Sequence, residues 1–216
     1  MESLRTSSAM PSATPLAQRG ITLVVVMLIL LVVTVLGVGG AQIALQSERT
    51  ARYDRDYLVA SQAAEAALID AEFDIRGPNT YASSRTAEFR PENAGIFVPG
   101  CSSSATTRGL CDRSDAAVKP VWATVDFLET GTSARTVALG DFTGRSFDAG
   151  GGIRPVRRPR YIIELVPDEA PGGDGAFRIN SPPAQMYRVT AMGFGPRLDV
   201  QVVTQMVFRK EGEVAP

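Results

Sequence analysis

Few residues of this chain have types and spacing that could carry out chemistry. The sequence has no histidine, which excludes histidine-based catalytic triads and histidine metal ligands. The serines at 102–104 have no neighbouring base, and no phosphate-binding glycine motif is present. Asp168, Glu169 and Asp174 do not have the spacing of an EF-hand calcium loop, so we interpret them as part of a solvated loop. We therefore expect no enzyme, no cofactor and no metal site.

Cys101 and Cys111 are the two cysteines of the chain, and they bound a short polar loop. In an oxidising compartment such a pair forms a disulfide. Closing this loop would stabilise the fold by about 3 kcal/mol. Two cysteines cannot provide the four ligands of a structural zinc site. The pair therefore predicts a disulfide in an exported domain.

The stretch from Arg19 to Leu68 belongs to the element on which the rest of the chain must be organised. It contains 21 uncharged residues, Ile21–Ala41, which is enough helix to cross a hydrocarbon core. No proline follows until Pro78, and Gly77 supplies a helix cap. The sequence thus predicts one long helix over 21–76, with a membrane-spanning half at 21–41 and an amphipathic half at 42–76.

The amphipathic half carries small residues at helical spacing, which would let a sheet pack closely against it. Glu48/Arg52 and Arg52/Asp56 are opposite charges at i,i+4, as expected on an exposed helix face. Leu58, Ile69 and Phe73 lie on the other side of the helix and would contact either a partner or a loop of the same domain. This face, called the small-residue face for its four alanines, contains Tyr57, Ala60, Ala64, Ala67, Leu68, Ala71 and Ile75.

Residues 77–216 form the predicted head of an α+β protein, with an antiparallel sheet packed on the amphipathic half of the helix. Apolar or alternating stretches predict strands near 121–127, 161–166, 187–192 and 200–208. A basic run precedes the second of these strands, at Arg154, Arg157, Arg158 and Arg160. It would contact an acidic partner or the membrane surface, or belong to a solvated loop.

The first 20 residues are polar and rich in serine, threonine and alanine, which is typical of a leader. Arg5 and Arg19 precede the span, so the leader is expected in the cytoplasm and the head in the periplasm. The small residue Gly20 comes before the apolar helix rather than after it. The order Gly20-Ile21-Thr22-Leu23 resembles a prepilin peptidase site, which implies cleavage after Gly20 and N-methylation of Ile21. The alternative is an uncut signal anchor.

The segment 47–68 resembles the signature of PilX-type minor pilins, especially in Gln62-Ala63-Ala64-Glu65-Ala66-Ala67-Leu68. The sequences G-L-C at 109–111 and P-R-Y-I-I-E-L-V at 159–166 extend the resemblance towards Lys210. It implies a structural subunit that primes a type IV pilus in the inner membrane and then lies at or near the tip. The implied partners are other minor pilins, the major pilin, the prepilin peptidase, the inner-membrane assembly platform and a tip adhesin.

One position departs from the usual pilin pattern. Most pilins carry glutamate at the fifth mature position, and this chain has Val25 there. Subunits at the filament tip commonly lack that glutamate. A type II secretion pseudopilin and a signal-anchored periplasmic enzyme or binding protein are the alternatives. With 22 basic and 23 acidic residues, the charge balance does not favour nucleic acid as a partner.

Overall fold

The computed structural model of the protein describes residues 21–113, 119–147, 151–166 and 185–210. One α-helix, α1, spans Ile21–Arg76. The chain divides into two compact units, residues 1–51 and residues 52–216, which are described in turn. The described residues of the second unit form five strands and three short 3₁₀ turns. The strands are β1 (Leu110–Cys111), β2 (Val137–Ala138), β3 (Arg160–Val166), β4 (Gln185–Phe194) and β5 (Gln201–Lys210), and the turns are Thr86–Glu88, Pro91–Ile96 and Val121–Ala123.

The described part of the first unit is the apolar half of α1. It is long and apolar enough to cross a membrane. Its large hydrophobic side chains are exposed, from Ile21 at 71% to Val38 at 61%. Thr34 donates its hydroxyl to the carbonyl of Leu31 (2.8 Å), so its polar group is satisfied inside the helix. Lipid or other helices must cover this surface, because exposed apolar area on this scale is not stable in water.

In the second unit, one face of α1 packs on the sheet. Ala60, Ala64, Ala67, Ala71 and Ile75 are completely buried, as the small-residue face predicted. Tyr57 remains 46% exposed and Leu68 is half-buried, whereas Ala63 and three aspartates are buried, so the buried face is rotated relative to the predicted one.

The sheet has the order β1-β3-β4-β5, and β2 also pairs with β3. The pairs β2–β3, β3–β4 and β4–β5 are antiparallel. Leu110 and Cys111 of β1 instead run parallel to β3, opposite Ile163 and Glu164. The α+β class is confirmed, but the sheet is mixed rather than purely antiparallel. A parallel pairing is possible here because a long connection, and not a hairpin, joins β1 to β3.

Alternate residues of β3 face two different apolar clusters. Tyr161 and Ile163 point to the helix side, where Tyr187 packs against Phe89 and Phe97 with ring centroids 5.5 and 5.9 Å away. Ile162 points to the other side, into a cluster with both cysteines, Val121, Val125 and Phe127. The sheet is therefore covered on both faces over β3.

The predicted strand at 121–127 is wrong. Val121–Ala123 is a 3₁₀ turn, and Thr124 continues it by donating its backbone N–H to the carbonyl of Val121. Pro120 precedes the turn with φ −57°, a value that suits helical and turn starts. The apolar side chains Val121, Val125 and Phe127 are buried, so the alternating pattern reflected burial rather than extended backbone.

The helix ends where the sequence predicted. Gly77 has φ +76° and donates its N–H to the carbonyl of Phe73 (2.9 Å), which satisfies one of the last helical acceptors. A left-handed backbone is costly for other residues, and Pro78 then prevents a further helical turn.

Candidate functional site

The apolar half of α1 carries the two residues that the sequence marked for processing and assembly. Ile21 is the first described residue, and Val25 lies one turn later with 47% of its surface exposed. Gly20, the expected cleavage position, lies outside the described residues. Val25 is surrounded along the helix by exposed apolar side chains such as Val24 and Val26. This surface offers no charge for electrostatic contact with a neighbouring subunit.

The glycines of this half leave the helix surface open. A Cβ atom at Gly37, Gly39 or Gly40 would meet nothing within 4 Å. Their conformational freedom weakens the helix by up to about 1 kcal/mol each relative to alanine. The segment near residue 40 is therefore the part of the apolar half whose intrinsic preference for helix is weakest.

The predicted disulfide is present between Cys101 and Cys111. Both cysteines are buried, and Cys111 belongs to β1. Within the loop, Ser102 donates its N–H to the carbonyl of Leu110 (3.0 Å) and Gly109 donates its N–H to the carbonyl of Ser102 (2.9 Å). The Ser102 hydroxyl is bonded to that of Thr107 at 2.8 Å. The loop is thus held to the rim of the sheet by both covalent and hydrogen bonds.

A buried ion pair joins α1 to the segment that follows it. The Arg85 guanidinium donates from Nε to both carboxylate oxygens of Asp74 (3.1 Å each) and from Nη2 to Oδ2 (2.7 Å). Tyr161 of β3 also donates its hydroxyl to Asp74 Oδ2 at 3.0 Å. Burial raises the pKa of the Tyr161 hydroxyl, and the Asp74 charge adds to the shift. The tyrosine therefore stays protonated and acts as a donor.

Arg85 is also held by neutral groups. Its Nη1 donates to the carbonyl of Arg108 at 2.6 Å, and its guanidinium carbon lies 3.7 Å from the centre of the Phe142 ring. A guanidinium in water-free surroundings needs acceptors for its N–H groups, and here the acceptors are Asp74 of α1 and the carbonyls of Thr106 and Arg108. Asp74 and Arg85 thus fix α1, the loop at 106–108 and β3 in one arrangement.

A second buried carboxylate on α1 holds the loop after β2. Asp70 accepts the N–H of Gly140 (2.9 Å) and the hydroxyl of Thr143, and Arg145 Nε lies 3.9 Å from Oδ1. Burial raises the pKa of the Asp70 carboxyl, while the hydrogen bonds from Thr143 and Gly140 oppose this effect. Arg145 also lies over the Phe73 ring, 4.3 Å from its centre. Phe73 therefore contacts a loop of its own domain.

One other position on α1, Asp56, differs from the sequence-based expectation. Asp56 is buried rather than exposed, and it is paired with Arg55 (3.0 Å) and Arg197 (3.5 Å) from the β4–β5 connection. Leu58 and Ile69 remain 58% and 47% exposed, on the side of the helix that does not contact the sheet. Of the two interpretations left open for these side chains, contact with a loop of the same domain is confirmed for Phe73.

Asp70, Asp74 and Arg85 were not predicted from the sequence. A signal was available, because Asp56, Asp70 and Asp74 continue the helical spacing of the buried alanines. Acidic residues on an otherwise apolar face indicate buried partners. The identity of those partners could not be read, since they lie far along the chain.

Three arginines of the basic run have separate local acceptors. Arg157 donates to the carbonyl of Leu128, Arg158 forms an ion pair with Asp141 (3.0 Å), and Arg160 donates to Thr136. Arg160 is buried, so the run is not simply a solvated loop. Over the ranges that the structure describes, no group of three histidine, cysteine or acidic residues is placed to hold a metal ion.

Two family models match the chain. The model described as PilX N-terminal matches residues 19–68, and the model described as Type IV pilus assembly protein PilX C-term matches residues 79–210. The first covers the apolar helix with Val25, and the second covers the disulfide loop and all five strands. No curated protein matches, and no solved structure does.

Proposed function

We propose, from the premise that this chain belongs to the PilX family of type IV pilus assembly proteins, that it is a minor pilin that primes pilus assembly and lies at or near the pilus tip. In this proposal it is a structural subunit and not an enzyme. Residues 1–20 are a leader, 21–41 span the inner membrane or the filament core, 42–76 support the head, and 77–216 form the periplasmic head.

The proposal includes maturation at Gly20. The prepilin peptidase would remove the leader on the cytoplasmic side, and Ile21 would become the N-methylated first residue. The apolar half of α1 supports this, because its exposed side chains would pass from lipid to the core of a filament without losing an apolar environment. Other minor pilins, the major pilin and the assembly platform are the proposed partners, with a tip adhesin beyond them.

The proposed location at the tip rests on one observation, the valine at position 25. In pilin assembly, the glutamate at the fifth position is understood to neutralise the N-terminal amine of the subunit above. A buried charge without a partner is costly in an apolar core. Val25 has no charge to offer, and its neighbours on the helix are also apolar. A subunit with valine there fits without penalty only where no subunit lies above it.

Immunogold labelling of sheared pili tests this location. We expect the wild-type protein at pilus ends and scarcely along the shaft. Val25→Glu should increase shaft labelling, because it restores a partner for the amine above. Val26→Glu is the matched control, since it adds the same charge one residue away and should not increase shaft labelling.

Dense and even labelling of the wild-type protein along the whole shaft would exclude the tip location. Equal shaft labelling for Val25→Glu and Val26→Glu would exclude the electrostatic explanation for it. Counting pili on cells that lack the protein tests the priming role separately, and we expect fewer pili per cell.

A further inference from the structure

A cleft of about 820 Å³ opens in the head beside β2 and the segment that leads into β3. Its walls combine four arginines with three small hydroxyl side chains. This volume is in the range of sites that bind a small molecule or a short peptide segment. The arginines are Arg108, Arg157, Arg158 and Arg160, and the hydroxyls belong to Ser83, Thr130 and Thr132.

The positive charge of the cleft is not balanced by its acidic residues. Asp141 is the one carboxylate among the described residues that line the cleft, and both of its oxygens are already used. Oδ1 pairs with Arg158 at 3.0 Å, and Oδ2 accepts the N–H of Ala138 at 3.2 Å. Arg157 and Arg160 donate only to neutral oxygens, those of Leu128 and Thr136, among the described residues.

The positive charges of the arginines that line the cleft repel one another. Burial lowers the pKa of the Arg160 guanidinium, Asp141 opposes this, and the charges of Arg108, Arg158 and Arg157 lower the pKa further. Because arginine remains protonated in proteins, this repulsion is retained as an unfavourable energy rather than relieved by proton loss. An added negative charge in the cleft would remove it.

Arg108 has a buried donor without an acceptor. Its Nε is shielded from solvent and has no hydrogen-bond partner within the described ranges of the chain. Buried donors are nearly always paired, because an unpaired one has lost its hydrogen bonds to water without gaining others. A guanidinium matches the paired oxygens of a carboxylate or a phosphate. The unpaired Nε lies in the side chain of a residue that lines the cleft.

We propose that this cleft binds an oxyanion-bearing ligand, either a carboxylate or a phosphate. The guanidinium groups of Arg108 and Arg157 provide the positive charge, and the hydroxyls of Thr130 and Thr132 hydrogen-bond the remaining oxygens. Arg160 is buried and positions the wall through Thr136. The inference goes beyond the pilus role and does not depend on it.

Binding to the full-length protein in detergent tests the proposal. Inorganic phosphate and a tetraglutamate peptide are titrated by calorimetry at constant ionic strength, with sodium chloride as the reference salt. Preferential binding of the peptide identifies a carboxylate as the ligand group, and preferential binding of phosphate identifies a phosphate. Either result supports the site.

Variants show whether the cleft is responsible. Arg108→Gln should weaken binding about tenfold, because it removes a charge-assisted hydrogen bond. Arg157→Gln should weaken it less, since its side chain is exposed. Arg90→Gln removes an exposed arginine outside the cleft and should leave the Kd within about twofold, as expected for a distant surface charge.

Thermal unfolding without ligand shows whether each variant is folded, and Arg108→Lys, which keeps the charge, should retain part of the binding. The proposal is overturned if neither probe binds the folded wild-type protein. It is also overturned if Arg108→Gln and Arg157→Gln bind as tightly as Arg90→Gln. Neither outcome bears on the location of the protein in the pilus, which the labelling of Val25 variants decides.

Discussion

Gly193 of β4 lies directly against the backbone of Ala60 in α1. A Cβ atom added at Gly193 would come within 2.0 Å of the Ala60 carbonyl oxygen and 2.4 Å of the Ala64 nitrogen. Atoms cannot approach this closely, and both neighbours are backbone atoms that cannot rotate away. The contact therefore requires glycine on the strand and small residues on the helix.

Gly193→Ala should destabilise the head by roughly 3 kcal/mol, the upper end of the usual cost of overpacking a core. Chemical denaturation followed by circular dichroism measures the change. Gly95→Ala is the control, because a Cβ atom there would meet nothing within 4 Å. A Gly193→Ala protein as stable as the Gly95→Ala protein would contradict the close packing of α1 on β4.

Replacing Arg85 alone should lower the free energy of unfolding more than replacing both Arg85 and Asp74. Arg85→Met leaves a completely buried carboxylate for which Tyr161 is the one remaining side-chain donor among the described residues, and we expect a loss of about 3–5 kcal/mol. The double variant Asp74→Leu/Arg85→Met removes both charges and should be more stable than Arg85→Met alone. Unfolding in urea measures both.

Arg76→Gln is the control for this pair, since Arg76 forms an exposed i,i+4 bridge with Glu72 (2.8 Å). Such bridges contribute about 0.3–0.5 kcal/mol. If Arg85→Met were no more harmful than Arg76→Gln, the Arg85–Asp74 pair would not connect α1 to the rest of the head as described.

Asp70 should make the stability of the head depend on pH. Burial raises the pKa of this carboxyl above its ordinary value of 3.8, so the folded state binds the proton more tightly than the unfolded chain. The contribution of Asp70 to the free energy of unfolding is therefore largest at low pH. It decreases as pH rises from 3.8 to the raised pKa and is constant above it.

The difference in stability between wild type and Asp70→Asn isolates this contribution, because asparagine does not titrate. We expect the wild type to lose stability relative to the variant as pH rises through that window. Thr143→Val removes a hydrogen bond that lowers the pKa of Asp70, so it should extend the decrease to higher pH. A difference that is constant or increases with pH would show that burial does not control this group.

Gly20→Phe should block removal of the leader, because the proposed peptidase site requires a small residue before Ile21. The retained leader adds about 2 kDa, the size of a 20-residue leader. Mass spectrometry of the mature N-terminus should find N-methylated Ile21 in the wild type. Ala13→Phe, a bulky change within the leader, is the control and should be processed normally.

An unprocessed wild-type protein that begins at Met1 would indicate a signal anchor instead of a pilin. Because this test reads the N-terminus directly, it gives a clear result even if the Gly20→Phe protein is unstable in the membrane.

The sequence by itself determined the features that depend on neighbouring residues. The apolar run from Ile21, the end of the helix at Gly77-Pro78 and the strands β3, β4 and β5 follow from local composition and period, which act over a few residues. The disulfide could be predicted because the chain has only two cysteines. The resemblance to PilX-type minor pilins was also visible in local motifs, such as the segment 47–68.

Only the tertiary structure decided what the polar groups on α1 contact. Asp74 meets Arg85 and Tyr161, which are 11 and 87 residues away, and Asp70 meets Gly140, 70 residues away. The alternation at 121–127 predicted a strand, although packing against Ile162 and the disulfide buries the same side chains in a turn. A local pattern of apolar residues in the sequence indicates that a side chain is buried. The partner that compensates a buried charge is set by how distant segments pack, so it follows only from the folded arrangement.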